Sequence, residues 1–109
     1  MPHIIIEYSK SLETKTEISQ LMEKSFAAAV ESKLFSPERI KVRAKPYEHF
    51  LVGGTPKDFV HTRVYLLDGR NEEQKKMLSD LIGQAQKPLI DVESQTVDVR
   101  DMERSWYFK

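Results

Sequence analysis

The hydrophobic side chains of this chain follow the period of a strand, then of a helix, then of a strand, and the same order occurs a second time. A strand–helix–strand unit places its two strands in parallel through a right-handed crossover. Two such units in 109 residues predict an α+β fold of β-α-β-β-α-β order, a four-stranded sheet with both helices on one face. We expect residues 1–109 to form a single domain, because one core commonly serves a chain of this length.

The first unit begins with a strand over residues 3–7. Its three consecutive isoleucines show no polar alternation, which favours a strand covered on both faces. Thr14 and Glu17 have the spacing of a capping box at the start of a helix, and we expect the helical region to end before Pro37. Residues 39–45 alternate between apolar and cationic side chains, so they are predicted to form a half-buried strand.

The second unit begins with a β-rich, alternating segment over residues 59–67. Asn71 and Gln74 then have capping-box spacing before a helix that Pro88 ends or kinks. Residues 95–102 alternate again and predict the last strand. No third helix is available for the open face of the sheet, so subunit association is the economical way to cover it, and we expect Trp106–Phe108 to lie in an interface or in the core.

The composition excludes several classes of function. The 17 basic and 17 acidic residues leave no net charge, which argues against a nucleic-acid partner. With no cysteine, the chain forms no disulfide, thiolate or cysteine-type zinc site, and His3 and His61 lack a close ligand pair, so we expect no metal and no cofactor. Apolar runs such as Phe26–Val30 are far shorter than the ~20 residues of a membrane span. We therefore expect a cytoplasmic protein without membrane contacts.

Pro2 is the residue whose chemistry is most specific. Removal of Met1 would leave Pro2 a secondary amine, and burial beside cations would lower its pKa until it could serve as a base near pH 7. If Met1 stays, the same nitrogen is an amide and accepts no proton. A Met-Pro start is also common in proteins without such a role, so the residues alone leave both readings open.

Four short segments carry a resemblance to a known family, and the resemblance, including the strand order, covers nearly the whole chain. They are Pro2–Ser9, Ile40–Arg43, Phe59–His61 and Gly69–Arg70. In them the chain resembles the 5-carboxymethyl-2-hydroxymuconate isomerases of the tautomerase superfamily. The chain is shorter than is usual for that family, mostly in residues 46–58 and toward its C-terminus.

This resemblance implies a cofactor-independent keto–enol isomerase that forms a homotrimer of tautomerase-like subunits and acts in the catabolism of aromatic compounds. Its substrate would be an unsaturated carboxylate such as 5-carboxymethyl-2-hydroxymuconate. Pro2 would be the general base, and Arg43 and Arg70 would bind the carboxylates, the latter helped by the start of the second helix. Lys41 stands where the family can carry arginine, and lysine lacks the bidentate fork of a guanidinium.

Other interpretations of the same residues stay open. Without the resemblance, Arg43 is a cation on a solvated strand face and Arg70 is a surface turn residue. The fold would equally serve a phenylpyruvate-type tautomerase or a small dehalogenase, because residues 46–58 and neighbouring subunits shape the specificity pocket. A non-catalytic trimeric ligand-binding protein is the alternative outside enzymes.

Overall fold

A computed structural model describes all 109 residues and contains four strands and two α-helices in the predicted order. The sheet has the strand order β2-β1-β3-β4. The elements, in chain order, are β1 His3–Ser9, α1 Ile18–Glu31, β2 Lys41–Tyr47, β3 Phe59–Leu67, α2 Glu72–Gln86 and β4 Ser94–Met102.

The central strand β1 has a parallel neighbour on one side and an antiparallel neighbour on the other. Ile4 pairs with Val42 of β2 in parallel and with Val64 of β3 in antiparallel register. β3 and β4 are again parallel. Each strand–helix–strand unit therefore contributes one parallel pair, and the two units join through the antiparallel β1–β3 contact.

One face of the sheet is buried beneath both helices. In β1, Ile4 and Ile6 are fully buried, whereas Ile5 is only partly covered on the other face. Within one subunit the helices cover one side only, so coverage of this isoleucine run on both faces requires the subunit association expected from the sequence. The buried face continues across β3, and Leu21 and Leu78 pack onto it from α1 and α2.

A polar bridge fixes the helices on this core. The side chain of Gln86, at the end of α2, is fully buried and donates to Ser25 Oγ at 3.1 Å and to Thr62 Oγ1 at 2.9 Å. Its carbonyl oxygen accepts from Gln95 at 3.3 Å. Because a buried amide is costly without partners, this bridge specifies one arrangement of α1, α2 and the sheet.

The two predicted capping boxes have different outcomes. Asn71 and Gln74 form theirs, with the Asn71 side chain accepting from the Gln74 amide and the Gln74 side chain accepting from the Asn71 amide. The box at Thr14 is wrong: a 3₁₀ turn occupies residues 10–14, the Thr14 hydroxyl donates to Ser11, and α1 begins later, at Ile18. This helix also ends at Glu31, well before Pro37.

The expected end of the second helix at Pro88 is confirmed, and a glycine turn shapes the segment before β3. The turn at Gly53-Gly54 forms with both residues at positive φ, 59° and 84°, a conformation that favours glycine. α2 ends at Gln86, directly before the turn that contains Pro88. Trp106, however, is 85% exposed in this single subunit, so it belongs to no core. Neither helix is long and apolar enough to cross a membrane.

A charged clamp joins β1 to β3 at the end of the sheet where β1 finishes. Asp58 accepts hydrogen bonds from the hydroxyl of Ser9, at 2.9 Å, and from the hydroxyl of Ser11. It also forms an ion pair with Lys15 at 2.8 Å. Ser9 Oγ in turn accepts from the Phe59 amide at 3.1 Å. Burial acts to raise the pKa of Asp58, but these donors together outweigh it and leave the pKa lowered.

We expect Asp58→Asn to lower the free energy of unfolding at pH 7 by about 1–3 kcal/mol, the scale of charged hydrogen bonds. Because the pKa of Asp58 is lower in the folded protein, its stabilisation is present above the ordinary value of 3.8 and is lost as pH falls through the folded value. Urea unfolding should therefore show a smaller difference in stability between wild type and Asp58→Asn at pH 3 than at pH 7.

Asp80→Asn is the matched control, because Asp80 forms an exposed ion pair with Lys76 on α2. Exposed pairs of this kind contribute about 0.5 kcal/mol or less. An equal loss of stability in the two variants would contradict the stabilising role of Asp58. So would a loss for Asp58→Asn that is as large at pH 3 as at pH 7.

Candidate active-site cleft

The directions of the strands bring four chain segments together at the end of the sheet where β1 begins, which we call the cleft edge. β1 and β2 begin at this edge and β3 and β4 end there. A cleft of about 220 Å³ lies at this edge, and we call it the cationic cleft. Its lining residues are Met1, Leu34, Phe35, Ser36, Arg39, Leu67, Arg70, Arg104 and Lys109.

The start of the chain forms one wall of this cleft. Pro2 is fully buried, and its carbonyl accepts from the Lys41 amide at 3.0 Å, which extends the β1–β2 pairing. Met1 lines the cleft, and its amino group donates to the Arg39 carbonyl at 3.1 Å. Burial lowers the pKa of this amine, and the charges of Lys41, Arg39, Lys109 and Arg70 lower it further.

Arg70 lies in the cleft and is held in place by its neighbours. Gly69, at φ 120°, turns the chain directly before it, and the Asn71 cap fixes the start of α2 directly after it. The Arg70 guanidinium donates to the Leu34 carbonyl at 2.5 Å and lies 5.2 Å from the Phe35 ring centre. A guanidinium positioned in this way keeps donors for a ligand and loses little side-chain entropy on binding.

Lys41 and Arg43 occupy different surroundings, although both lie on β2. Lys41 Nζ donates to the Arg39 carbonyl at 3.4 Å, the same oxygen that accepts from Met1, so it lies at the margin of the cleft. Arg43 lies outside the lining, on the open face of the sheet, and donates to His3 Nδ1 at 3.1 Å. The structure thus brings Arg70 and the start of the chain together, with Lys41 beside them and Arg43 apart.

Two arginines of the cleft were missed by the sequence analysis. Arg39 lies in the short turn before β2 and makes no side-chain hydrogen bond or ion pair within the protein, so its planar fork is free. Arg104 lies in the short turn after β4 and also lines the cleft. No motif marks either residue, but both lie beside strand ends that the topology collects at this edge.

The cleft contains cations and no acidic side chain among its lining residues. Its remaining lining residues are mostly apolar, and this surrounding strengthens electrostatic attraction to an anion. Chemically, the cleft can hold a small anionic ligand beside the start of β1.

A larger cavity of about 530 Å³ lies at the opposite end of the open sheet face, and its character is different. It is lined by Glu7, two histidines and several apolar side chains, with no lysine or arginine. A carboxylate there would meet the charge of Glu7 without a cationic partner. Despite its size, this cavity is therefore the poorer candidate for an acidic substrate.

The protonation of His3 follows from its partners. An arginine only donates hydrogen bonds, so Nδ1 of His3 accepts from Arg43 and the ring proton lies on Nε2. Nε2 then donates to the Tyr107 hydroxyl oxygen at 2.9 Å. Burial lowers the pKa of His3, and the charges of Arg43, Lys41 and the chain's amino group lower it further.

The family of the chain is decided by sequence. The model of the 5-carboxymethyl-2-hydroxymuconate isomerase family matches residues 2–99. The chain belongs to this family. The match ends before the last ten residues, so Arg104 lies outside the part that the family model describes. Among curated protein sequences, none matches the chain significantly.

Solved structures agree on the fold. A 5-carboxymethyl-2-hydroxymuconate isomerase from Deinococcus radiodurans R1 is 20% identical, with a TM-score of 0.88 over 99% of this chain and 87% of that one. A 5-carboxymethyl-2-hydroxymuconate delta-isomerase is 17% identical, with a TM-score of 0.79 over 100% and 86%. A fused 4-OT, in an asymmetric trimer, is 18% identical, with a TM-score of 0.82 over 98% and 91%. Family and fold together support an isomerase-type enzyme.

The assignment of His3 yields a prediction for this family member. We expect the pKa of His3 to lie below its ordinary 6.5 and Arg43→Met to raise it, because the substitution removes one of the nearby positive charges. Histidine ring resonances followed by nuclear magnetic resonance against pH measure both values. The exposed His49 serves as the internal control for this measurement. An unchanged or lower His3 pKa in the variant would contradict the proposed contact.

Proposed function

We propose that the chain is a cofactor-independent keto–enol tautomerase for an unsaturated carboxylate such as 5-carboxymethyl-2-hydroxymuconate, and that Pro2 is its general base once Met1 is removed. The observation that carries this proposal is the position of the Met1–Pro2 junction at a cleft whose charged lining residues are all cationic. A base and an anion-binding site then adjoin each other, as enolisation of an acid requires.

The surroundings of Pro2 support its role as a base. Removing Met1 would free the nitrogen of Pro2 beside the space that Met1 now fills in the cleft. The Met1 amine already has a lowered pKa there, because of burial and nearby cations. We expect the secondary amine of Pro2 to shift in the same direction, which would leave part of it unprotonated near neutral pH.

Arg70 and Arg39 are the proposed carboxylate partners. Each guanidinium can offer two parallel donors to a carboxylate, and Arg39 supplies the fork that Lys41 lacks. In the proposed reaction, Pro2 accepts a proton from one carbon or oxygen of the substrate and returns it to another, while the double bonds shift. Negative charge grows on the dienolate between these steps, and the arginines, with Lys41 beside them, stabilise it.

We propose a homotrimer in which residues 1–109 form one domain of each subunit. The fused 4-OT structures with the same fold are trimers. In this chain the sheet face opposite the helices is open, and Ile5 lies on it only partly covered. Arg43 lies on this face as well, so its part in substrate binding requires a cleft shared with a neighbouring subunit.

Replacement of the proposed base tests the mechanism. Pro2→Ala keeps an amine at the start of the processed chain but changes its basicity and geometry, so kcat should fall by roughly 10²-fold or more. Enol–keto conversion followed by ultraviolet absorbance measures the rate, and intact mass shows whether Met1 is absent from both proteins. Full activity in Pro2→Ala, or in a chain that retains Met1, would remove Pro2 from the mechanism, whereas no conversion by processed wild type would favour a ligand-binding protein.

Replacement of Arg70 tests carboxylate binding. We expect Arg70→Ala to raise KM for the acid by roughly 10- to 150-fold, which corresponds to about 1.5–3 kcal/mol for charged hydrogen bonds. Lys76→Gln is the control, because it removes one cation from an exposed pair on α2. Saturation behaviour that is the same in wild type, Arg70→Ala and Lys76→Gln would reject Arg70 as a substrate ligand.

A further inference from the structure

Residues 103–109, which we call the terminal segment, form a wall of the cationic cleft and are fixed at two points. Arg104 donates through Nη2 to the Asp68 carbonyl at 2.8 Å, and its Nε lies 3.4 Å from the Asp68 carboxylate. Further along, the Tyr107 hydroxyl meets His3, with the two rings 6.4 Å apart in an edge contact. The segment is thus attached to the β3–α2 turn and to the start of β1.

The contacts of Arg104 leave part of its guanidinium free. Nε and Nη2 face Asp68, whereas Nη1 makes no hydrogen bond or ion pair within the protein. Because a guanidinium carries two donors on Nη1, it can bind an oxygen in the cleft while Asp68 holds the rest of the group in place. Asp68 itself is not among the lining residues of the cleft.

The cleft has more guanidinium groups than one carboxylate needs. Arg39 precedes β2, Arg70 follows β3 and Arg104 follows β4, and all three line the cleft. A single carboxylate accepts at about four lone-pair sites, which two bidentate guanidinium groups can fill. No acidic side chain lines the cleft, and the carboxylate that Arg104 meets, that of Asp68, lies outside the lining.

We propose that Arg104 binds a second carboxylate of the substrate, so that the terminal segment makes the enzyme selective for dicarboxylates over monocarboxylates. This inference rests on the proposed function, since it concerns the same cleft. Arg104 also lies beyond residue 99, where the match to the family model ends. Arg104 acts here as a specificity-determining residue and takes no part in proton transfer.

The test uses two unreactive acids with the same six-carbon diene skeleton. trans,trans-Muconate carries a carboxylate at both ends, and sorbate carries one. Calorimetric titration of the intact oligomer should show tighter binding of muconate by wild type. Arg104→Gln should weaken muconate binding by roughly 10- to 100-fold, the scale of a charged hydrogen-bonded contact, and change sorbate binding by less than about 2-fold.

Two further variants make the outcome decisive. Lys76→Gln, which removes an exposed cation from α2, should leave both affinities unchanged and controls for net charge. Arg104→Lys keeps the charge but loses the planar fork, so it should weaken muconate binding several-fold and leave sorbate binding unchanged. This variant provides the test if Arg104→Gln does not fold. Equal weakening of the two acids, or unchanged muconate binding, would overturn the proposal.

These titrations do not depend on Pro2 as a base, so the two proposals can fail separately. Selective loss of muconate binding in a protein without tautomerase activity would sustain the role of Arg104 and reject the proposed reaction. Tautomerase activity in wild type, together with equal weakening of muconate and sorbate binding in Arg104→Gln, would sustain the proposed reaction and reject the role of Arg104.

Discussion

The mixed pairing of β1 is the constraint on which the rest of the structure depends. With β2 parallel and β3 antiparallel to it, the start of β1 lies beside the start of β2 and the end of β3, and β4 ends at the same edge. Chain segments far apart in sequence therefore meet within one cleft. Arg39, Arg70 and Arg104 each come from a different segment, so no local motif could have assembled them.

The same pairing separates the two ends of the sheet chemically. At the edge where β1 begins, cations face a small cleft, and the buried Pro2 continues the strand pairing through its carbonyl. At the other end, Asp58 collects hydroxyl and ammonium donors and holds β1 to the start of β3. The Asp58 cluster thus lies away from the cleft, where an acidic side chain would compete with an acidic ligand.

Sequence patterns were sufficient for the order and faces of the elements and for part of the site. Alternation in β2 and the Asn71 cap were readable because each depends on neighbours in sequence. The start of α1 was not, because the 3₁₀ turn at residues 10–14 uses the Thr14 hydroxyl before the helix begins. Arg39 and Arg104 were missed since only strand register and the path after β4 bring them to Arg70.

Repulsion among the cations of the cleft explains why Arg70 and Arg104 need fixed positions. Like charges in a partly apolar cleft repel one another, and this repulsion opposes folding while no anion is bound. The Leu34 carbonyl and the Phe35 ring hold Arg70, and Asp68 holds Arg104, from outside the region that a ligand would occupy. Arg70 and Arg104 are therefore restrained by contacts that leave donors free, and an anion in the cleft would relieve repulsion that the fold otherwise carries.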